Sequence, residues 1–185
     1  RLQRELEQAI TDYVDEHGLL IPVISKARNQ YRQLTEKVQI LFTKQLTDTG
    51  WPPQGRLYNA NVFDEMVAPK LKISGQRVAY IMVDALRFEL GLELEKQLKD
   101  EFEINLKPAY ACLPSITLIG MASLLPGAGN DLAIHKKDND MIPMLGDTPV
   151  GTVSQRMAIF AKRYGSRFSE MRVDKFVEDH HSFEN

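Results

Sequence analysis

Residues Val78-Ala79-Tyr80-Ile81-Met82-Val83 form an unbroken apolar run that stops at Asp84. A continuous run of this kind suits a strand covered on both faces, as in a parallel sheet. Leu86, Leu90, Leu94 and Leu98 then recur every four residues. That spacing predicts a helix. Phe102, Ile104 and Leu106 alternate with Glu101, Glu103, Asn105 and Lys107, which predicts a second strand. Residues 78–107 therefore read as one β-α-β unit, because parallel strands need a crossover connection. The expected class is α/β, with a mainly parallel sheet flanked by helices.

The chain on either side is read against that unit. Leu2, Leu6, Ile10, Tyr13 and Val14 repeat at helical spacing up to His17-Gly18. A longer helical pattern follows through Ile24, Ala27, Tyr31, Leu34, Val38, Leu41 and Gln45. Residues 47–56, TDTGWPPQGR, hold two glycines and two prolines and end it. Residues 1–56 thus form a helical lead-in and linker, each helix presenting one apolar stripe expected to pack on the sheet. Residues 57–185 form the α/β domain. Within it, 57–74 show no strong pattern, and 108–114 read as a loop closed by Pro114. Residues 115–125 read as a helix that ends at Pro126-Gly127. Residues 128–150 are rich in Gly, Asp, Asn and Pro and read as an irregular excursion. Val153, Met157, Phe160 and Tyr164 mark a last helix over 153–164.

Composition narrows the function classes. The 185 residues make one domain or part of a larger one, and 43% apolar content supplies a core. With 23 basic against 25 acidic residues the net charge is −2, and no segment carries the basic excess of a dedicated nucleic-acid module. Cys112 is the single cysteine, so no intrachain disulfide and no CxxC pair can form. No apolar stretch approaches membrane-spanning length. The chain opens on Arg1 and enters a helical pattern at once, which reads as a piece of a longer cytoplasmic polypeptide without a signal peptide.

Asp84 stands where a strand runs out, and in open α/β sheets ligands bind beyond the carboxyl ends of strands. A carboxylate there can hold a metal ion, or it can cap the next helix. Arg87 can neutralise an anionic group, or pair with Glu89 on the surface. Ser115 and Thr117 open a helix, whose free N–H groups favour anions. Either hydroxyl can be a nucleophile if a metal lowers its pKa, or simply an N-cap. His17 and His135 have no ligand pattern around them and read as surface or capping residues.

Two partial resemblances are set aside on the residues. Cys112-Leu113-Pro114-Ser115 is similar to the sulfatase signature Cys-x-Pro-Ser-Arg, but position 116 is isoleucine, so Cys112 reads as a small buried residue. Asp179-His180-His181 is similar to the triplet of the DHH phosphoesterases, but Phe176-Val177-Glu178 rather than an apolar strand precedes it. It reads as a solvated turn.

A third resemblance covers most of the chain. VAYIMVDALRFELGLELEKQL and LPSITLIGMASLLPG together resemble the PglZ domain of the alkaline phosphatase superfamily. That family pairs an apolar strand ending in Asp-Ala-Leu-Arg-Tyr/Phe-Glu with Leu-Pro-Ser/Thr-x-Thr and Gly-Met-Ala-x-Leu-Leu-Pro. The matching blocks run from Asp84 to Glu89 and from Leu113 to Pro126. The resemblance implies an alkaline phosphatase-like fold and a metal-dependent phosphatase or phosphodiesterase acting on a phosphate ester. It implies Asp84 as a metal ligand and Thr117 as nucleophile and second metal contact. Ser115 is the alternative nucleophile and Arg87 a contact to the anion. The cofactor implied is a divalent metal, Zn²⁺, Mn²⁺ or Mg²⁺, with two ions in the complete enzyme. Partners implied are the phosphate ester and, where the domain serves BREX-type phage defence rather than a stand-alone two-component-like protein, other phage-defence proteins, with no membrane contact.

One departure from the family bears on activity. The superfamily takes its remaining ligands from a later Asp/His set. After Thr117 this chain has only His135, His180 and His181, outside that pattern. The expectation is the N-terminal part of a catalytic domain. Its rival is a catalytically inactive PglZ-like scaffold whose long helix docks a partner.

Overall fold

The computed structural model describes residues 2–13, 18–138 and 140–178. The chain begins with helices α1 (Leu2–Asp12) and α2 (Ile21–Thr49). Pro22 sits in the first turn of α2, where its missing N–H costs nothing. Gly50, at φ 76°, ends the helix in a backbone region that suits glycine. Arg28 ties α2 to α1 through Glu7, at 2.6 Å. No residue of α2 is buried, so its apolar stripe does not pack on a sheet as expected.

Residues 59–71, which carry no clear pattern, form a continuous helical stretch. It runs as α3 (Asn59–Val62), a π-turn (Phe63–Val67) and α4 (Ala68–Leu71). The later helices are α5 (Phe88–Leu98), α6 (Thr117–Ser123) and α7 (Ala128–Asp131). Then come strands β1 (Leu132–Lys137), β2 (Asp140–Leu145) and β3 (Thr148–Pro149). Helices α8 (Val153–Tyr164) and α9 (Val173–Glu178) complete the described chain. Thr152 and Gln155 form a reciprocal capping box at the start of α8, and Lys162 and Arg163 face its negative C-terminal end.

The expected parallel sheet is not formed. The sheet among the described residues is antiparallel, in the order β1-β2-β3, and the fold is mainly helical. Residues 78–83 join no ladder, and neither do 102–107. The run is not covered on both faces either: Tyr80 and Met82 reach the core, while Ile81 and Val83 are 67% and 50% exposed. A strand is defined by its neighbour, and apolar content alone does not supply one. The sheet arises instead inside 128–150, the segment read as irregular. Lys137 pairs with Asp140 at the end of the β1–β2 ladder. Asp138 takes φ 55°, a conformation that Asp tolerates in hairpin turns.

The core lies where α6, α8 and the 59–71 helices meet. Phe63, Ala122, Leu125, Val150 and Phe160 are buried together. Phe63 packs edge-on against both Tyr80 and Phe160, each at 5.4 Å between ring centres. Such offset geometry suits the ring quadrupoles. An adjoining cluster holds Ala60, Cys112, Ile119 and Ala128. Each cluster takes one residue of α6, Ala122 or Ile119, while Thr117 at its start stays exposed.

Candidate active site

Two segments distant in sequence converge on the start of α6. The first is the apolar run 78–83. Tyr80 anchors it, donating its hydroxyl to the Leu124 carbonyl at 3.1 Å. The run delivers Asp84 at its end, and the next residue, Ala85, takes φ 53°. That left-handed conformation is unusual for a residue with a Cβ and turns the chain sharply after the carboxylate.

The second segment is the loop before α6. Tyr110 N donates to Leu57 O and Asn59 N donates to Tyr110 O, at 2.8 and 2.9 Å. Trp51 Nε1 donates to Ala111 O at 2.8 Å. Cys112 is buried beside Tyr58, whose hydroxyl is raised above the usual phenol range by burial first and by the thiol second. Cys112 therefore anchors this loop from within the core. Ile119, fully buried, fixes α6 below it.

Thr117 is the first residue of α6, and its Oγ1 donates to Asp84 Oδ2 at 3.2 Å. Both residues are exposed, so the pair faces solvent. The capping alternatives are not what the two side chains do. The N-cap of α6 is Ile116 and that of α5 is Arg87, and neither helix has a side-chain cap. Ser115 lies exposed in the loop, with no hydrogen bond from its hydroxyl among the described residues. Arg87 lies 3.6 Å from Glu89, which also meets Arg4 at 2.6 Å. Glu89 is held below the usual carboxylate range by its own backbone N–H and then by these two cations.

A hydroxyl and a carboxylate side by side are oxygen donors of the kind a divalent cation takes. They are only part of a coordination shell. Among the described residues no group of three or more His, Cys, Asp or Glu could hold a metal ion. His135 lies on β1, paired across the hairpin with Ile142. His17 and Asp179-His180-His181 lie outside the described residues.

Sequence reading passed over Arg156. It lies on the core-facing side of α8, one turn before Phe160, and is only 6% exposed. A cation in phase with an apolar stripe was the available signal. Burial lowers its pKa, and Asp84 acts in the opposite direction by stabilising its charge.

The family described as the BREX system PglZ alkaline phosphatase-like domain matches residues 62–182. The match takes in Asp84, Thr117 and Arg156, and covers well over half of the chain. The chain belongs to the PglZ family. It is also 39% identical over 79 residues to the alkaline phosphatase-like protein BrxZ of Escherichia coli O9:H4 (strain HS). That alignment covers 41% of this chain and 9% of BrxZ, so the chain spans a small part of its relative's length. No solved structure matches significantly. Among the described residues of this PglZ chain, no helix is long and apolar enough to cross a membrane.

Proposed function

We propose that this PglZ chain carries the nucleophile and the first metal ligand of a metal-dependent phosphoryl-transfer hydrolase, a phosphatase or phosphodiesterase. The observation that carries the reading is the 3.2 Å contact between Thr117 Oγ1 and Asp84 Oδ2, inside the family match. Asp84 and Thr117 would contribute two oxygen ligands to a divalent ion, Zn²⁺, Mn²⁺ or Mg²⁺, and further ligands must come from other residues. When bound, such an ion lowers hydroxyl pKa values and neutralises charge on a phosphoryl group. Asp84 accepts the Thr117 hydrogen bond and so orients the hydroxyl. Thr117 Oγ1 gives up its proton toward Asp84 Oδ2, its hydrogen-bond acceptor, and forms the new bond to phosphorus as the ester oxygen leaves with its electron pair. Water then attacks phosphorus, releasing phosphate and returning a proton to Oγ1. Ser115, on the loop before the helix, lacks a carboxylate partner among the described residues and is the weaker candidate. Arg87 lies 3.6 Å from Glu89 at the surface and is the candidate contact to the anion.

The BREX context of the family suggests other phage-defence proteins as partners, with a cytoplasmic location. The second reading is an inactive scaffold, favoured by the short donor set among the described residues. Turnover of p-nitrophenyl phosphate and bis(p-nitrophenyl) phosphate by the intact protein, with Zn²⁺ or Mn²⁺ supplied, separates the two. Thr117→Ala and Asp84→Asn should each cost at least about 100-fold in rate, as loss of a nucleophile or its activating ligand does. Metal-dependent turnover that survives Thr117→Ala would overturn the assignment of the nucleophile.

A further inference from the structure

Helix α2 runs for 29 residues without burying one of them. A helix that faces a globular core turns an apolar stripe at least about 100° wide toward it. From Tyr31 onward α2 carries a narrower one. Tyr31, Leu34, Val38 and Leu41 follow in alternating steps of three and four, the a and d positions of a heptad. Ile24 and Ala27 continue that register backwards, but they are half-buried, on the part of the helix that Arg28 ties to Glu7 of α1. The later seam has no such cover among the described residues, and its four side chains are 44% to 62% exposed. Two other apolar residues of this stretch lie off the seam. Phe42 packs on Trp51, at 5.5 Å between ring centres, and Ile40 falls on the far side of the helix.

The flanks of the seam point to its occupant. With Tyr31 and Val38 at a and Leu34 and Leu41 at d, the bordering positions are Gln30, Lys37 and Lys44 on one side and Thr35 and Phe42 on the other. No carboxylate stands among them. Glu36 is on the outer face, 3.9 Å from Arg32, and Asp48 follows one turn after Lys44. Among the described residues neither Lys37 nor Lys44 enters an ion pair. A heptad seam is covered by another helix, because each a or d side chain seats in a hole made by four residues of the facing one. Carboxylates at the facing e and g positions would answer Lys37 and Lys44. A second copy of α2 offers none, because its flanks carry the same lysines, and like charges oppose pairing.

We propose that α2, from Tyr31 to Lys44, is the docking surface for an amphipathic helix of a partner protein, one with an apolar heptad seam flanked by Glu or Asp. The surface lies before residue 62, where the family match begins, and shares no residue with the Asp84–Thr117 pair. The inference is therefore independent of the phosphoryl-transfer reading.

The test measures binding of fluorescein-labelled synthetic peptides to the intact protein by anisotropy. Both peptides hold about four heptads with Ile at a and Leu at d; one carries Glu at e and g, the other Lys. The acidic peptide should bind at least about ten-fold tighter than the basic one, and the gap should shrink as salt rises toward about 0.5 M. Lys37→Glu combined with Lys44→Glu should reverse the preference. Leu34→Asp should abolish binding of both peptides, whereas Ile40→Gln should change neither. The reversal is a gain of binding, so misfolding cannot produce it. Equal affinities, or a preference that survives the charge reversal, overturn the inference. So does failure of the acidic peptide to bind, as a covering segment of the same chain would give. A wild type that light scattering shows to be a dimer, made monomeric by Leu34→Asp, overturns it as well, since a second copy then occupies the seam.

Discussion

Tyr80 joins the core to the candidate site. Its ring packs on Phe63, its hydroxyl holds the Leu124 carbonyl, and four residues later the chain presents Asp84. Burial pushes its phenol from 10.0 up to about 12. A folded pKa above the unfolded one means that the unfolded chain ionises first. The stabilisation is therefore whole below pH 10 and is lost as pH rises from 10 to about 12. Denaturant titrations across that range should show stability falling in the wild type and falling less steeply in Tyr80→Phe. At neutral pH the same variant should lose about 1 kcal/mol with its hydrogen bond. At this scale the sequence exposed Asp84 and Thr117 through their motifs. It did not distinguish Thr117 from Ser115 by contact, because a hydroxyl's partner here lies 33 residues away. Arg156 escaped notice because burial of a cation depends on what surrounds it.

Helix α8 carries the clearest element-level signal. Thr152 accepts from Gln155 N, and Thr152 N donates to Gln155 Oε1, satisfying two donors that the helix itself leaves open. Thr152→Ala should cost about 1 kcal/mol, read as a lower melting temperature, because the first turn loses its cap. The effect should reach Arg156, which lies in the second turn and whose partners Val150 and Gly151 precede the cap. The helices over 2–12, 21–49, 88–98, 117–123 and 153–164 were legible because apolar spacing near 3.6 is a local property. The hairpin of β1 and β2 was not. Its Gly, Asp, Asn and Pro content looks like loop, and only the pairing of Ile134 with Pro143 and Ala133 with Met144 makes it a sheet.

Across the whole molecule, order is uneven. Backbone hydrogen bonds are dense in α6, α8 and the hairpin, whereas residues 77–86 and 103–109 contribute no backbone donor among the described residues. Amide exchange in the 185-residue chain should follow this division. Amides of Ile119–Ser123 and Arg156–Phe160 should exchange slowest, and those of Ala79–Asp84 and Glu103–Ala109 at close to unprotected rates. Strong protection at Ala79–Val83 would mean that the run pairs with another strand in solution, and it would refute the unpaired arrangement.

The sequence by itself determined helices α1, α2, α5, α6 and α8 and the two motif blocks that meet at α6. Each depends on spacing or residue type within one stretch of chain. Tertiary structure alone decided that the apolar run at 78–83 stays without a ladder, that the sheet is antiparallel and lies within residues 132–149, and that Thr117 reaches Asp84. Pairing, burial and electrostatic contact are properties of two segments at once, so no single segment's pattern contains them.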